Sequence, residues 1–362
     1  MDSSTFDSLH IIGSTQVGGA ERFFSRLIGV LVEKGHRAAA VYRPKSPLRD
    51  LLDSEIDHFH VAMRNGWDIL SLWAIRRLIV KTNPVIVQTY MGRATRLTRI
   101  PSSSRAIHVA RLGGFYKIKG YYEHAHAWVG NTKGICDYLI RSGMDPDRVF
   151  HIGNFVEIPS PKPSEVLRTI RGNLQLPEDA IIIFSLGRFI PKKGFQDLIQ
   201  SLRFVPKEIK GRPIYLVIAG DGPLRDRLEA AAQDLGIAHR IRWVGWQDDP
   251  SPFYELAHIF VCPSREEPLG NVVLEAWSHR LPVIATRTPG PLELIKEGKN
   301  GLLVPIGEPE KLAQCLTSLL HEDKASWLGL GSNGLKTLMA SHSKESVVNA
   351  YLSMYEKLRR LH

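Results

Sequence analysis

The sequence predicts an α/β protein built of two doubly wound parallel sheets, each covered by helices on both faces. Three observations lead there. Short apolar runs alternate with helically spaced ones along most of the chain. A stiff proline-rich connector interrupts that alternation once, and the same alternation then restarts. The length of 362 residues suits two domains. Apolar residues make up 43% and charged residues 23%, so cores can form and wholesale disorder is excluded.

The elements follow in order. Leu9-His10-Ile11-Ile12 is a short apolar strand, a glycine-rich turn runs over 13–19, and 20–34 places Phe23, Leu27, Val30 and Leu31 at helical spacing. Gly35-His36 ends that helix, and 38–42 is the next strand. Strands are expected at 84–88, 106–110 and 128–131, the last followed by a helix over 132–142. The segment 158–163 reads IPSPKP, an extended connector that places a domain boundary near 157–165. Beyond it, strands at 180–186, 214–219, 241–244, 259–262, 282–285 and 301–304 alternate with helices that begin at Phe195 or span 224–235 and 271–279. The last segment, 343–361, is a helix with Val347, Tyr351, Met354, Tyr355 and Leu358 on one side. Ligands of such sheets bind at the carboxyl ends of the strands, so two units face to face are expected to share a cleft.

Composition narrows the function. Cys136, Cys262 and Cys315 are widely spaced and lack a CxxC partner, which argues against a disulfide framework or a cysteine zinc site. A reducing compartment suits them. The opening MDSSTFDSLHII lacks a basic n-region and is not expected to be a signal peptide, and no apolar run is long enough to span a membrane. Net charge is +10, and its location matters. Residues 1–155 carry 21 basic and 13 acidic side chains, against 26 and 24 in the remainder. Between Asp68 and Glu123 stand ten basic residues and no acid. This window reads either as a solvated positive face or as a surface for an anionic glycan, a phosphorylated lipid or a bilayer. Nucleic acid fits less well, because no nucleic-acid module is present.

Three segments carry chemistry. In the first, Gly18-Gly19-Ala20-Glu21 enters a helix, where glycine permits close backbone approach and helix amides can meet a phosphate; a plain strand–helix turn is the alternative. The spacing is not GxGxxG and no acid ends the second strand, against a dinucleotide cofactor. In the second, Gly187 to Gly194 reads GRFIPKKG, in which Arg188 and a lysine can converge on a diphosphate. The third, 263–276, reads PSREEPLGNVVLEA. Residues 269–272 are expected to supply the first helical amides, and Glu275 to lie two turns into the helix. Two acids beside a phosphate-binding helix start make sense if Glu275 accepts bonds from ribose hydroxyls and Glu267 faces a sugar.

These segments, with GH at 35–36, IGNF at 152–155, IAGDGP at 218–223, WVG at 243–245, LPVIAT at 281–286 and NGLLVP at 300–305, resemble those of the retaining, family-4 type (group 1) glycosyltransferases of GT-B fold, among them bacterial lipopolysaccharide and glycolipid enzymes. The Glu-x7-Glu spacing of Glu267 and Glu275 is the signature of the resemblance. It implies an acceptor-side domain over 1–157, joined by the C-terminal helix 343–362, and a nucleotide-sugar domain over 158–342. It implies catalytic roles for Arg188, Lys193 and Glu267. Gly18, Gly19, Arg188, Lys193, Asn271 and Val272 would meet the donor diphosphate; Glu267, Leu269, Gly270 and Glu275 the donor sugar and ribose; Val244 and Trp246 the base. On the acceptor side, where many relatives carry a histidine, the nearest equivalents are Tyr90 and Arg111. His108 is expected to pack or face away. Asp248-Asp249 reads as a turn with a helix cap and not as a DxD metal site, so neither metal nor cofactor is expected.

Three readings of function follow. The first is hexose transfer from a nucleotide sugar, UDP before GDP, to a membrane-associated glycan, by a cytoplasmic protein peripheral to the anionic inner membrane face. The second has a soluble sugar-phosphate acceptor. The third is a catalytically silent GT-B binding protein.

Overall fold

The computed structural model describes residues 6–16 and 18–361. The opening residues and Val17 of the first glycine turn lie outside the described residues. The chain divides into two compact units. Unit 1 runs to Phe155 and takes in the segment from Lys344 onward; unit 2 is Val156–Ser343.

Unit 1 holds, in order, β1 (Ser8–Ile12), α1 (Gly19–Glu33), β2 (Ala38–Tyr42), β3 (Asp57–His60), α2 (Ile69–Thr82), β4 (Ile86–Tyr90), α3 (Met91–Leu97), β5 (Ile107–Leu112), β6 (Ala127–Gly130), α4 (Lys133–Arg141) and β7 (Val149–His151). Among the described residues its sheet is parallel throughout, in the order β3-β2-β1-β4-β5-β6-β7. The sheet is buried on both faces, and alternate residues of one strand enter different cores. Ala38, Ala40 and Tyr42 of β2 join one apolar cluster with α1, while Ala39 and Val41 join the cluster under α2 and α3.

Unit 2 follows with α5 (Ser164–Asn173), β8 (Ile181–Leu186), α6 (Phe195–Leu202), β9 (Glu208–Ile209), β10 (Arg212–Ala219), α7 (Arg225–Asp234), β11 (Ile241–Gly245), α8 (Ser251–Leu256), β12 (Ile259–Cys262), α9 (Asn271–Ser278), β13 (Val283–Thr286), α10 (Pro289–Leu294), β14 (Leu302–Val304), α11 (Pro309–His321) and α12 (Lys324–Ser341). The parallel order is β11-β10-β8-β12-β13-β14, with β9 added antiparallel to β10. Ile181 and Ile183 of β8 face one core and Ile182 and Phe184 the other.

The chain then returns to unit 1 as α13 (Lys344–Leu361). Its Val347, Tyr351, Met354, Tyr355 and Leu358 are buried, as their spacing requires, in the cluster that includes α1. Lys344 pairs with Glu33 at 2.6 Å and Lys34 donates to Asn349 at 3.1 Å.

Two local expectations need correction. The strands expected at 84–88 and 106–110 lie later, so Tyr90 and Arg111 are strand residues. Pro84 has no N–H to give a ladder. The helix expected to offer amides from 269 opens at Asn271, because Gly270 takes a left-handed conformation (φ 87°) as its cap; Leu269 precedes the cap, and Glu275 lies one turn into the helix, not two.

Candidate active site

The candidate site in unit 2 grows from two neighbouring strands. β8 and β12 pair, so the loops leaving their carboxyl ends, 187–194 and 263–270, run side by side. Gly194 makes the close approach possible. Its φ is +66°, and a Cβ there would stand 1.9 Å from the Pro263 carbonyl oxygen. The Lys192 carbonyl accepts N–H bonds from Arg265 at 2.8 Å and Glu266 at 3.0 Å. The Arg265 guanidinium donates to both carboxylate oxygens of Asp197, in the first turn of α6, at 2.7 and 2.8 Å. Such bidentate pairs fix orientation as well as position.

This bracing sets Lys193 Nζ against Glu267 Oε2. Glu267 is only 8% exposed. Its Oε2 also accepts the Ser264 hydroxyl at 3.2 Å, and its carbonyl accepts the Gly290 N–H at 2.9 Å. Burial pulls the Lys193 ammonium down, but the Glu267 carboxylate, helped by Cys262 and Glu275, outweighs it and holds Lys193 above its ordinary value. Lys193 is therefore a cation at neutral pH. Cys262 is the reverse case: burial, then the charge of Glu267, pushes its thiol up to about 11, so it is no nucleophile.

Gly270 then caps α9, whose first residues are Asn271 and Val272; helix-start amides have no partner inside the helix and suit an anion. Further along α9, Glu275 Oε2 accepts the Tyr254 hydroxyl at 3.1 Å. Burial, reinforced by Glu275, keeps that phenol protonated. Arg188 extends from the β8 loop with an exposed side chain. At the end of β11, the Val244 carbonyl accepts Gln247 Nε2 at 2.5 Å, and the exposed Trp246 donates its indole N–H to Asp248 at 3.1 Å. Asp249 accepts the Ser251 N–H at 3.0 Å and pairs with Lys162 at 2.7 Å. Among the described residues no three His, Cys, Asp or Glu side chains gather into a metal-holding group.

The remaining candidates belong to unit 1. Gly18 and Gly19 open α1, and the buried Glu21 carboxylate takes the Gly18 N–H at 2.9 Å. Arg111 and Tyr90 are built into the packing of α13. Arg111 is 3% exposed; its Nε donates to Tyr351 at 3.0 Å, its Nη2 to Asn154, and its guanidinium lies 4.0 Å from the Phe23 ring centroid. The Tyr90 hydroxyl meets His10 at 2.9 Å and Gln88 at 2.6 Å, and Gln88 in turn accepts from Tyr355 at 2.7 Å. His108 is fully buried, with Nε2 2.9 Å from the Thr89 hydroxyl.

Comparison with known proteins identifies the family. LpsE of Rhizobium meliloti strain 1021, a lipopolysaccharide core biosynthesis glycosyltransferase, is 33% identical over 339 residues, covering 93% of this chain and 95% of LpsE. LpsD of the same strain, bearing the same description, is 32% identical over 351 residues, 96% and 98% of the two chains. A family model described as glycosyl transferases group 1 matches residues 167–327. The chain belongs to the group 1 glycosyltransferases. Its fold is that of solved GT-B enzymes. A glycosyltransferase from Rickettsia africae ESF-5 superposes with a TM-score of 0.85 at 22% identity, covering 98% of each chain. HepE of Anabaena, solved with UDP and glucose, gives 0.83 at 19% identity over 97% of this chain and 99% of HepE.

For this glycosyltransferase, the matched segment contains Arg188, Lys193, Glu267 and Glu275. The structure brings Lys193 and Glu267 into contact and sets Glu275 within electrostatic reach of Lys193. Sequence reasoning did not single out the supports: Ser264, the Asp197–Arg265 pair and Tyr254. Ser264 and Arg265 lay within the PSREE run. Tyr254 comes from α8, 21 residues before Glu275, and no local spacing announces it.

Proposed function

We propose that this enzyme transfers a hexose from a nucleoside-diphosphate sugar, UDP before GDP, to a membrane-associated glycan of lipopolysaccharide-core or glycolipid type. In this reading it keeps the anomeric configuration, needs no divalent cation, and works at the cytoplasmic face of an anionic membrane. The observation that carries the donor half is the Lys193–Glu267 pair braced beside the start of α9. It joins a fixed cation, helix amides and two carboxylates in one place. LpsE and LpsD, alike over nearly their whole length, support the acceptor half, and the UDP in HepE supports the nucleotide.

The chemistry follows from the charges. As the sugar–phosphate bond breaks, negative charge grows on the leaving diphosphate. Arg188, Lys193 and the amides of Asn271 and Val272 would stabilise it. Glu267 holds Lys193 charged and would accept bonds from sugar hydroxyls together with the Leu269–Gly270 backbone. Glu275, steadied by Tyr254, would hold the ribose, and the chain at Val244 to Trp246 would meet the base. In same-face attack the acceptor would approach from the leaving-group side and pass its proton to the leaving diphosphate. Arg111 and Tyr90 would act on the acceptor side as positioning residues, through Asn154, Tyr351 and His10.

Calorimetric titration with UDP, GDP, ADP and CMP, with and without chelator, tests the donor half. One diphosphate should bind tightly, keep its affinity in chelator, and lose it in Glu275→Ala. No binding by any nucleotide in folded protein would overturn the reading. Transfer to a soluble sugar phosphate and not to glycolipid would replace its acceptor half.

A further inference from the structure

Helix α2 presents a second apolar stripe that unit 1 does not cover. Its inner face, Ser71, Ile75, Ile79 and Thr82, is buried at the spacing of a helix packed on a sheet. The opposite face repeats 70, 73, 77 and 80, and three of those four positions are apolar. Leu70 is 73% exposed, Trp73 65% and Val80 54%. Trp67 and Ile69, just before and at the helix start, are 76% and 68% exposed. Large apolar groups scattered singly on a surface need no explanation, but four on one side of one helix with a fifth just before its start do.

The surroundings of this stripe are cationic. Arg64, Arg77 and Lys81 are exposed around it, and the Arg76 guanidinium lies 5.9 Å from the Trp73 ring centroid. Arg96 of α3 lies over Trp67 at 3.5 Å and over Tyr121 at 4.8 Å, and it donates to the Gly120 carbonyl at 3.1 Å. That stack joins the helix start to the segment bearing Lys117 and Lys119. The acids nearby are already engaged in local structure. Asp68 caps α2, bonding the Arg64 and Ser71 N–H groups, and Glu123 takes the Gly120 N–H at 2.8 Å.

We infer that this face of unit 1, centred on Trp67, Leu70 and Trp73, is where the protein docks on an anionic lipid bilayer. Indole and leucine side chains beside arginines are the groups that settle at the headgroup–acyl boundary of such a membrane. No helix among the described residues is long and apolar enough to cross one, so the attachment is interfacial. A second copy of the chain fits less well, because a two-fold dimer through this face would set arginines against arginines. The inference deepens the membrane-associated reading above by naming the surface.

The test is flotation of the full chain with phosphatidylcholine vesicles, with and without about one-third phosphatidylglycerol. Wild-type protein should float with the anionic vesicles alone, show a blue shift of tryptophan emission, and dissociate in high salt. Leu70→Ser/Trp73→Ser should weaken binding about tenfold or more. Arg76→Gln/Arg77→Gln should weaken it about fivefold for each charge removed. Both variants leave Ile75 and Ile79 in place and should keep the wild-type melting curve and UDP affinity. Absence of vesicle binding, or binding unchanged in the Leu70/Trp73 variant, overturns the assignment. So does a concentration-dependent dimer, or RNA binding, abolished by the same substitutions in place of vesicle binding. Flotation uses neither donor nor acceptor, so its failure leaves the transferase reading standing, and failure of UDP binding leaves the docking surface standing.

Discussion

Gly194→Ala should be far more damaging than a glycine substitution of similar backbone geometry elsewhere in unit 2, and Gly211→Ala is the control. Both glycines have positive φ, +66° and +73°. An alanine in that region costs about 1–2 kcal/mol at either site. At Gly211, in the β9–β10 turn, a Cβ meets nothing within 4 Å. At Gly194 it would stand 1.9 Å from the Pro263 carbonyl oxygen, so the two loops must open by more than about 1 Å. That movement strains both N–H bonds to the Lys192 carbonyl, each worth about 1 kcal/mol. The total is about 3–4 kcal/mol for Gly194→Ala. For a domain of this size the melting midpoint should fall by roughly 10 °C, against a few degrees for Gly211→Ala. Function should separate the two further, because the same opening pulls Lys193 from Glu267. The assay is differential scanning calorimetry with transferase or donor-hydrolysis rates. Equal melting shifts, or wild-type turnover in Gly194→Ala, would refute the view that these loops are locked by contact at this residue.

Three other outcomes are expected. Arg188→Ala should lower kcat by the equivalent of roughly 2.7–4 kcal/mol, the cost of one lost electrostatic donor, with little change in melting because the side chain is exposed; steady-state kinetics beside a melt checks both. Lys193→Met should abolish turnover while Lys192→Met does not, since Lys192 pairs with the exposed Glu266 and only Lys193 reaches the buried Glu267; parallel rate measurements decide it. Acid should destabilise the fold in a histidine-dependent way. Burial, with His36 adding, lowers His10 to about 3, and burial lowers His108 as well. The unfolded chain takes up these protons below about pH 6.5 and the folded chain does not. Stability is thus fully present above that pH and falls by roughly 1.4 kcal/mol per unit for each histidine as pH drops toward the folded value. Urea midpoints at pH 7 and 5 should fall less steeply in His10→Gln, by about one proton.

The surroundings of Lys193 were more legible than those of Arg111 for a physical reason. Residues 187–194 and 263–276 are contiguous in sequence, and β8 and β12 are neighbours in the sheet, so local motifs already contained both halves of the Lys193–Glu267 contact. The strands at 38–42 and 259–262 were read with their observed bounds because each is one apolar run between clear stops. What spacing could not show were contacts between distant segments: Tyr254 with Glu275, Arg111 with Tyr351, and Gln88 with Tyr355.

Helix α2 shows the other limit. Residues 69–82 were read for charge, and the arginines concealed a helix whose apolar positions fall on two sides. A period of 3.6 predicts one buried face. Two apolar stripes on one helix, one under the sheet and one in solvent, can be told apart only when the sheet is in place. Unit 1 buries Ile75 and Ile79 and leaves Leu70 and Trp73 outside, which is an arrangement that folding alone does not require. A soluble protein gains nothing in stability from two exposed tryptophans beside four exposed or half-exposed arginines. The same residues become favourable once an anionic interface is present, so the surface is better explained by what it meets than by what it holds together.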